Sequence, residues 1–249
     1  MGTSNIYKGP GGVNKLLPEW LQEQDLTEKQ QMEIVSAWKA AKTAFTKAIN
    51  HPNYSPKIFL KHYAKAYGGS QGFIQSSKSF DKVFSDLLSF SLSLNSIGKD
   101  ETLKKIGDDF QGKNIEEILM IFSNKYFPSG NTKEESAVRE AMVSTIQLIY
   151  EELSKHKNLD VMDDIVLNVI LRNFIGEYIS ARILSDLGSS FESSTISIRE
   201  VKEFEARIKE MIKSCVDSKL GNTNFMKYSK DKLNVNNLLF VCIKEIMGE

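Results

Sequence analysis

Apolar side chains recur at helical spacing along most of the chain after residue 25. In the first such region the intervals are three or four residues, which places one apolar stripe on a helix of about six turns. That stripe comprises Ile34, Trp38, Ala41, Phe45 and Ile49. The same pattern predicts further helices over 56–67, 70–97, 101–106, 115–127, 132–153, 163–188, 198–216 and 233–247. No stretch alternates with period two, so we expect an all-α, bundle-like single domain of about seven to nine helices.

Two pairs of residues mark helix starts within this pattern. Thr27 with Gln30, and Thr132 with Glu135, have the spacing of capping boxes, in which each side chain satisfies a backbone N–H of the first helical turn. Gly68 follows an apolar stripe directly and is typical of a helix end. These signals fix several helix boundaries independently of the apolar periodicity.

The helix predicted over 163–188 is the most apolar one and is apolar on most of its faces. We therefore expect it at the centre of the domain, with Phe174 and Ile183 buried. Asn168 and Arg172 interrupt its apolar run, which indicates a buried helix of a water-soluble fold and not a membrane span.

Residues 1–18, MGTSNIYKGPGGVNKLLP, contrast with everything that follows. Four glycines and Pro10 leave no apolar periodicity that could pack against a core. We predict a flexible tail and docking segment over 1–24 and an all-helical domain over 25–249. A tail without any role is the plain alternative.

Gly2 carries the most reactive nitrogen that this tail could offer. Removal of Met1 would expose an α-amine with a pKa of about 8, against about 10.4 for a lysine, so near pH 7 its unprotonated fraction is roughly 300 times larger. About fifteen extended residues could carry it some 50 Å from an anchor near Leu17. N-myristoylation is a poorer explanation, because its signal has Ser or Thr where this chain has Ile6.

Charge and cysteine content narrow the function classes. The 32 basic and 32 acidic side chains give a formal net charge of zero, which argues against an extended interface with nucleic acid or an anionic membrane. Cys215 and Cys242 are too few for a disulfide framework and lack CxxC spacing. No apolar signal segment opens the chain. We expect a cytoplasmic protein with both cysteines as small core residues.

The predicted helical domain offers few candidates for a catalytic or ligand-binding site. The cluster from Gly68 to Gly72 lacks the preceding strand and the following GK[ST] of a phosphate loop, so a tight turn between helices is the simpler interpretation. Arg182 and Asp186 are four residues apart and can pair on one helix face, with Glu177 nearby. Such a pair more often fixes packing than performs chemistry.

The histidines give no metal site either. His51, His62 and His156 are scattered and lack a partner at metal-ligand spacing, and no GxSxG elbow occurs. We therefore expect no catalytic residue, no metal and no cofactor, and hence no enzyme.

Three stretches carry a resemblance to a known family. They are the opening MGTS…Y…GP…LLP…W, the segment from Tyr63 through GGSQG before a long helix, and the segment EYISARILSDLG that begins at Glu177. In this order they resemble the B component of the bacterial Qat anti-phage defence systems. The tail is more basic than the family pattern, because of Lys8 and Lys15.

The resemblance implies a four-component operon. The partners would be a P-loop ATPase, a QueC-like enzyme related to the synthase that makes a deazaguanine nitrile, and a TatD-like nuclease. In related systems the QueC-like enzyme is thought to join a deazaguanine to an N-terminal glycine. Gly2 is then the modification site.

We accordingly predict a non-enzymatic defence protein that is the partner and the N-terminal-glycine substrate of a QueC-like enzyme, without direct nucleic-acid or membrane contact. An unmodified assembly scaffold is the first alternative, and a nucleic-acid-sensing module is a less favoured one. The residues predicted to bind the partner are Gly2, Thr3, Ser4, Tyr7, Gly9, Pro10, Gly11, Leu17 and Trp20.

Overall fold

The computed structural model of the chain describes residues 27–51, 53–106, 130–155, 164–187, 197–227 and 234–249, together with positions 117, 121 and 126. Within these ranges the fold is all-α, as predicted. Eight α-helices are described: α1 Glu28–Asn50, α2 Pro56–Tyr67, α3 Gly69–Gln75, α4 Lys78–Ile106, α5 Lys133–Lys155, α6 Asp164–Leu187, α7 Ile198–Leu220 and α8 Val235–Met247. A short 3-10 helix, Phe225–Lys227, lies between α7 and α8.

The predicted caps begin their helices. Thr27 and Gln30 form the full capping box of α1, and Glu135 N donates to Thr132 Oγ1 at 3.1 Å where α5 begins. A further box at Ser197 and Glu200, which begins α7, was missed although it has the same spacing. Each box satisfies backbone N–H groups that an isolated helix end leaves unpaired.

Helix α6 occupies the centre of the fold. It packs against α4, α5, α7 and the 3-10 helix, and Phe174 and Ile183 are fully buried, as predicted. Phe174 lies parallel to Phe80 of α4, with ring centroids 5.5 Å apart. The continuous apolar composition of α6 follows from this position, since neighbours cover it on several sides.

The helix predicted over 70–97 is two helices. Helix α3 ends at Gln75, and α4 begins at Lys78 after Ser76 and Ser77. Glu134, from the first turn of α5, accepts a hydrogen bond from Phe80 N at 3.0 Å and so caps α4 from a distant part of the chain. The separately predicted helix over 101–106 continues α4 beyond a kink at Gly98, whose φ is 79°.

Several predictions concern residues outside the described ranges. The boundary between a tail over 1–24 and a domain over 25–249 stays a prediction, as does most of the helix over 115–127. In the described ranges, none of the helices has the length and apolar character that crossing a bilayer requires.

Two helical glycines differ sharply in the space around them, which gives a matched stability test. A Cβ on Gly72 would lie 1.8 Å from the Tyr67 carbonyl oxygen. A Cβ on Gly176 would meet no described atom beyond its chain neighbours and the nearby backbone of its own helix within 4 Å. We expect Gly72→Ala to lower the free energy of unfolding by about 1–3 kcal/mol through overpacking. Gly176→Ala should raise it by up to about 1 kcal/mol, because alanine favours the helix. Urea unfolding measures both, and equal effects would contradict the packing described at Gly72.

Candidate functional site

Four polar side chains from two helices meet inside the core and form what we call the Arg–Asp–Tyr cluster: Tyr63, Tyr67, Arg182 and Asp186. Tyr63 and Tyr67 are one turn apart on α2, and Arg182 and Asp186 are one turn apart on α6. None of the four is more than 3% exposed. The i, i+4 spacing on both helices therefore places two tyrosines opposite one ion pair.

Asp186 Oδ2 is the acceptor at the middle of this cluster. Tyr63 Oη donates to it at 2.8 Å and Tyr67 Oη at 2.6 Å. Arg182 Nε lies 3.3 Å from the same oxygen and donates to Tyr67 Oη at 3.0 Å. The carboxylate charge is thus compensated by one guanidinium and two hydroxyl donors, as a buried ion pair requires.

Aromatic rings enclose the cluster on the α1 side. The Trp38 ring meets Tyr63 and Tyr67 edge-on, with centroids 5.7 and 5.4 Å away. Within the described part of the chain, three buried atoms of this region have no hydrogen-bond partner: Trp38 Nε1, Arg182 Nη1 and Asp186 Oδ1. Two donors and one acceptor are the groups that an internal water bridges.

The electrostatics of the cluster favour the ion pair with neutral tyrosines. Burial and the Asp186 charge raise the pKa of Tyr63 and of Tyr67 well above the ordinary value. Burial alone would lower the pKa of Arg182, but Asp186 and the neighbouring tyrosines raise it overall. Both tyrosines therefore stay protonated throughout the neutral range, and the cluster acts as a fixed connection between α2 and α6.

These pKa directions predict a loss of stability in alkali. Burial also raises the pKa of Tyr178. Below pH about 10 these tyrosines are protonated in both the folded and the unfolded chain. Above that pH the tyrosines of the unfolded chain lose their protons, while those of the folded chain keep theirs. The free energy of unfolding therefore falls by roughly 1.4 kcal/mol per tyrosine and pH unit. Urea unfolding between pH 9 and 11, followed by phenolate absorbance, measures the slope. Tyr63→Phe should make the slope shallower, and an unchanged slope would contradict the burial of this hydroxyl.

Glu134 and Tyr178 form a second buried polar group that the sequence analysis missed. Tyr178 Oη donates to Ser77 Oγ at 2.8 Å, beside the carboxylate that caps α4. Ser77 Oγ in turn donates to the Phe73 carbonyl oxygen at 2.8 Å. A Glu in the first turn of a helix normally faces solvent, so only the three-dimensional packing shows that this one caps another helix.

The predicted tight turn over Gly68–Gly72 is shorter than expected: Gly68 connects α2 to α3, and residues 69–72 lie in α3. Gly68 ends α2 in the left-handed region, with φ 77°, and Gly69 follows with φ 81°. The side chain of Glu249 accepts hydrogen bonds from the backbone N–H and the hydroxyl of Ser70. The N–H of Ser70, in the first turn of α3, is thus satisfied by the side chain of Glu249, which follows α8.

The remaining candidates do not join the Arg–Asp–Tyr cluster. Glu177 pairs instead with Lys209 of α7, with Nζ and Oε2 3.2 Å apart. His51 and His62 are exposed on the surface, while His156 lies outside the described residues. Across the described ranges, no three His, Cys, Asp or Glu side chains are grouped to hold a metal ion.

Both cysteines are free thiols, as expected from their number and spacing. Cys242 is buried in α8, and burial raises its pKa to about 12. Cys215 of α7 is half-buried.

The predicted tail residues cannot be placed relative to these features. They lie outside the described ranges, and their roles stay predictions: Gly2, Thr3, Ser4, Tyr7, Gly9, Pro10, Gly11, Leu17 and Trp20. The described chain begins at Thr27, an exposed residue at the start of α1.

One family model, described as Qat anti-phage system associated protein QatB, matches residues 68–246, well over half of the chain. The chain belongs to the QatB family. No curated protein and no solved structure matches the chain significantly.

Membership of the QatB family makes the chain a component of a Qat anti-phage defence system and a partner of other Qat proteins. The resemblance noted in the sequence is thereby confirmed. The matched region begins at Gly68, so it contains Arg182 and Asp186 but neither of the tyrosines that bind them. The matched region also does not include the predicted tail over 1–24.

Proposed function

We propose that this QatB-family chain is the non-enzymatic partner and N-terminal substrate of a QueC-like enzyme of its own Qat system. Membership of the QatB family supports a role in a Qat defence system, and the low pKa of the Gly2 α-amine supports its role as the group that is modified. The P-loop ATPase and the TatD-like nuclease complete the proposed set of partners. Anti-phage function would then depend on modification of the tail and on assembly through the helical domain.

The observation that supports a non-enzymatic domain is the burial of its strongest polar constellation. Each member of the Arg–Asp–Tyr cluster is at most 3% exposed, and hydrogen bonds join Asp186 and Arg182 to the tyrosines within it. A substrate would have to open the core between α2 and α6 to reach Asp186. The arrangement is that of a packing element with its charges compensated.

The proposed reaction at Gly2 is acyl transfer. After Met1 is removed, the neutral amine attacks the carbonyl carbon of a deazapurine acyl-adenylate held by the QueC-like enzyme. An amide C–N bond forms, the C–O bond to AMP breaks, and the amine loses one proton. The basis for this choice of nitrogen is its pKa of about 8, which leaves an appreciable neutral fraction near pH 7.

Partner binding can be tested on the full chain without altering Gly2. Leu17→Ser with Trp20→Ser removes the two largest apolar side chains proposed to dock, and should weaken binding of the purified QueC-like enzyme by at least about tenfold. Lys8→Ala with Lys15→Ala is the matched control, which should bind as the natural chain does. Equal affinities for all three would remove the docking role of the tail. A loss confined to the lysine variant would favour a tail that contacts phosphate.

A further inference from the structure

A groove lies between α5, α6 and α7, away from the Arg–Asp–Tyr cluster. Its volume is about 360 Å³, within the range of binding pockets. Helix α6 forms the floor, α7 one wall and Leu148 of α5 part of the other. The floor runs from Val169 to Ser180, which is about 16 Å at the helical rise of 1.5 Å per residue.

Gly176 leaves the middle of this floor open. The residue is buried, yet a Cβ added to it would meet no described atom beyond its chain neighbours and the nearby backbone of its own helix within 4 Å. Empty space therefore lies above the helix at this point, large enough for an apolar side chain from outside. Val169, which is 41% exposed, extends the apolar surface at one end of the groove.

The polar lining is electrically balanced. Arg172 faces Asp217, with Nε and Oδ1 3.4 Å apart, and Lys209 faces Glu177. The remaining two charged residues, Lys213 and Glu210, are of opposite sign and have no ion-pair partner in the described ranges. Among the described residues that line the groove, none is aromatic. This lining disfavours a phosphate, which needs net positive charge, and a nucleobase, which needs a stacking surface.

Asn173 offers a further polar group to a ligand in the groove. Asn173 lines the groove on α6, and its side-chain amide makes no hydrogen bond within the described part of the chain. An amide offers both donors and an acceptor, and therefore complements the N–H and C=O of an extended backbone. A neutral lining, a free amide and a floor of about 16 Å fit an uncharged, extended chain of about five residues.

We propose that the groove between α5, α6 and α7 binds an extended peptide segment from another protein of the Qat system. Asn173 holds the backbone of that segment, and one of its apolar side chains fills the space above Gly176 between Leu148 and Val216. The groove then acts as an assembly site on the helical domain. The choice of a Qat protein as the partner rests on family membership, and the site is independent of any modification of Gly2.

Filling the groove tests this assignment. Gly176→Leu places a side chain in the empty space, and Asn173→Ala removes the amide. Ser214→Leu adds the same leucine to an exposed position of α7 outside the lining and serves as the control. Each full-length variant is titrated calorimetrically with each purified Qat partner, with thermal unfolding as the check on folding.

One partner should bind Gly176→Leu at least about tenfold more weakly than the natural chain, and Asn173→Ala about tenfold more weakly. Ser214→Leu should bind as the natural chain does. If no partner binds the natural chain, or every partner binds Gly176→Leu equally well, the assignment is wrong.

A natural dimer that becomes monomeric with Gly176→Leu would assign the groove to a second copy. A small molecule lost from that variant in native mass spectrometry would assign it to a metabolite. Modification of Gly2 is measured separately, from the mass of the N-terminal peptide. Failure of the groove proposal would therefore not count against the proposed substrate role of the chain.

Discussion

Replacing Gly2 by glutamate should abolish phage protection while leaving the helical domain folded. A large residue at position 2 prevents removal of Met1, so the amine at position 2 stays within a peptide bond and cannot attack a carbonyl. Plaque counts with the complete operon should match those of cells without the system. Circular dichroism and thermal unfolding of the purified variant should match the natural chain, because position 2 precedes the first described helix by many residues.

Gly2→Ala is the matched control for this result. It keeps removal of Met1 and nearly the same amine pKa, and adds only one methyl group beside the nucleophile. We expect partial protection, since the amine remains but enters a narrow pocket with more difficulty. Full protection by Gly2→Glu would rule out the amine as an essential group and leave the scaffold function.

Replacing Asp186 by asparagine should lower the free energy of unfolding by about 3–5 kcal/mol. The substitution preserves shape but leaves the Arg182 guanidinium buried without its counter-charge. It also replaces the carboxylate oxygen that accepts hydrogen bonds from Tyr63 and Tyr67. Urea unfolding at neutral pH measures the loss.

Two controls separate charge from packing. Asp217→Asn breaks the pair with Arg172 and should cost no more than about 1 kcal/mol, because the Asp217 side chain is half exposed and already solvated by water. Arg182→Met combined with Asp186→Leu removes both buried charges and should recover most of the stability lost by Asp186→Asn. A double variant less stable than the single one would show that the cluster stabilises by more than charge compensation.

The local parts of the fold could be predicted from the sequence. Trp38, Ala41 and Phe45 are buried on one face of α1, because their spacing alone decides which side of the helix meets the core. Thr27 likewise begins α1, because a capping box acts within a single helical turn.

The break between α3 and α4 could not be predicted in the same way. The apolar pattern continues through Ser76 and Ser77, and neither glycine nor proline marks the boundary. The N-terminus of α4 is satisfied by Glu134, which lies 54 positions from Phe80. Sequence patterns within a window of a few turns contain no information about such a partner.

The same distinction applies to the polar cluster. The pairing of Arg182 with Asp186 follows from their i, i+4 spacing and was predicted. Their tyrosine partners are more than a hundred residues away in sequence, so the packing of α2 against the end of α6 had to be seen. Glu177, which was grouped with them, faces α7 instead because it is five residues before Arg182 on a helix of 3.6 residues per turn.

The mass of the mature N-terminal peptide, from chain co-expressed with its operon, tests the proposed substrate role most directly. A chain that begins at Gly2 and carries one deazapurine acyl group is the expected product. Co-expression with a QueC-like enzyme that cannot form the adenylate should return the same peptide without the added mass. A tail that begins at Gly2 and stays unmodified beside its active partner would contradict the proposal.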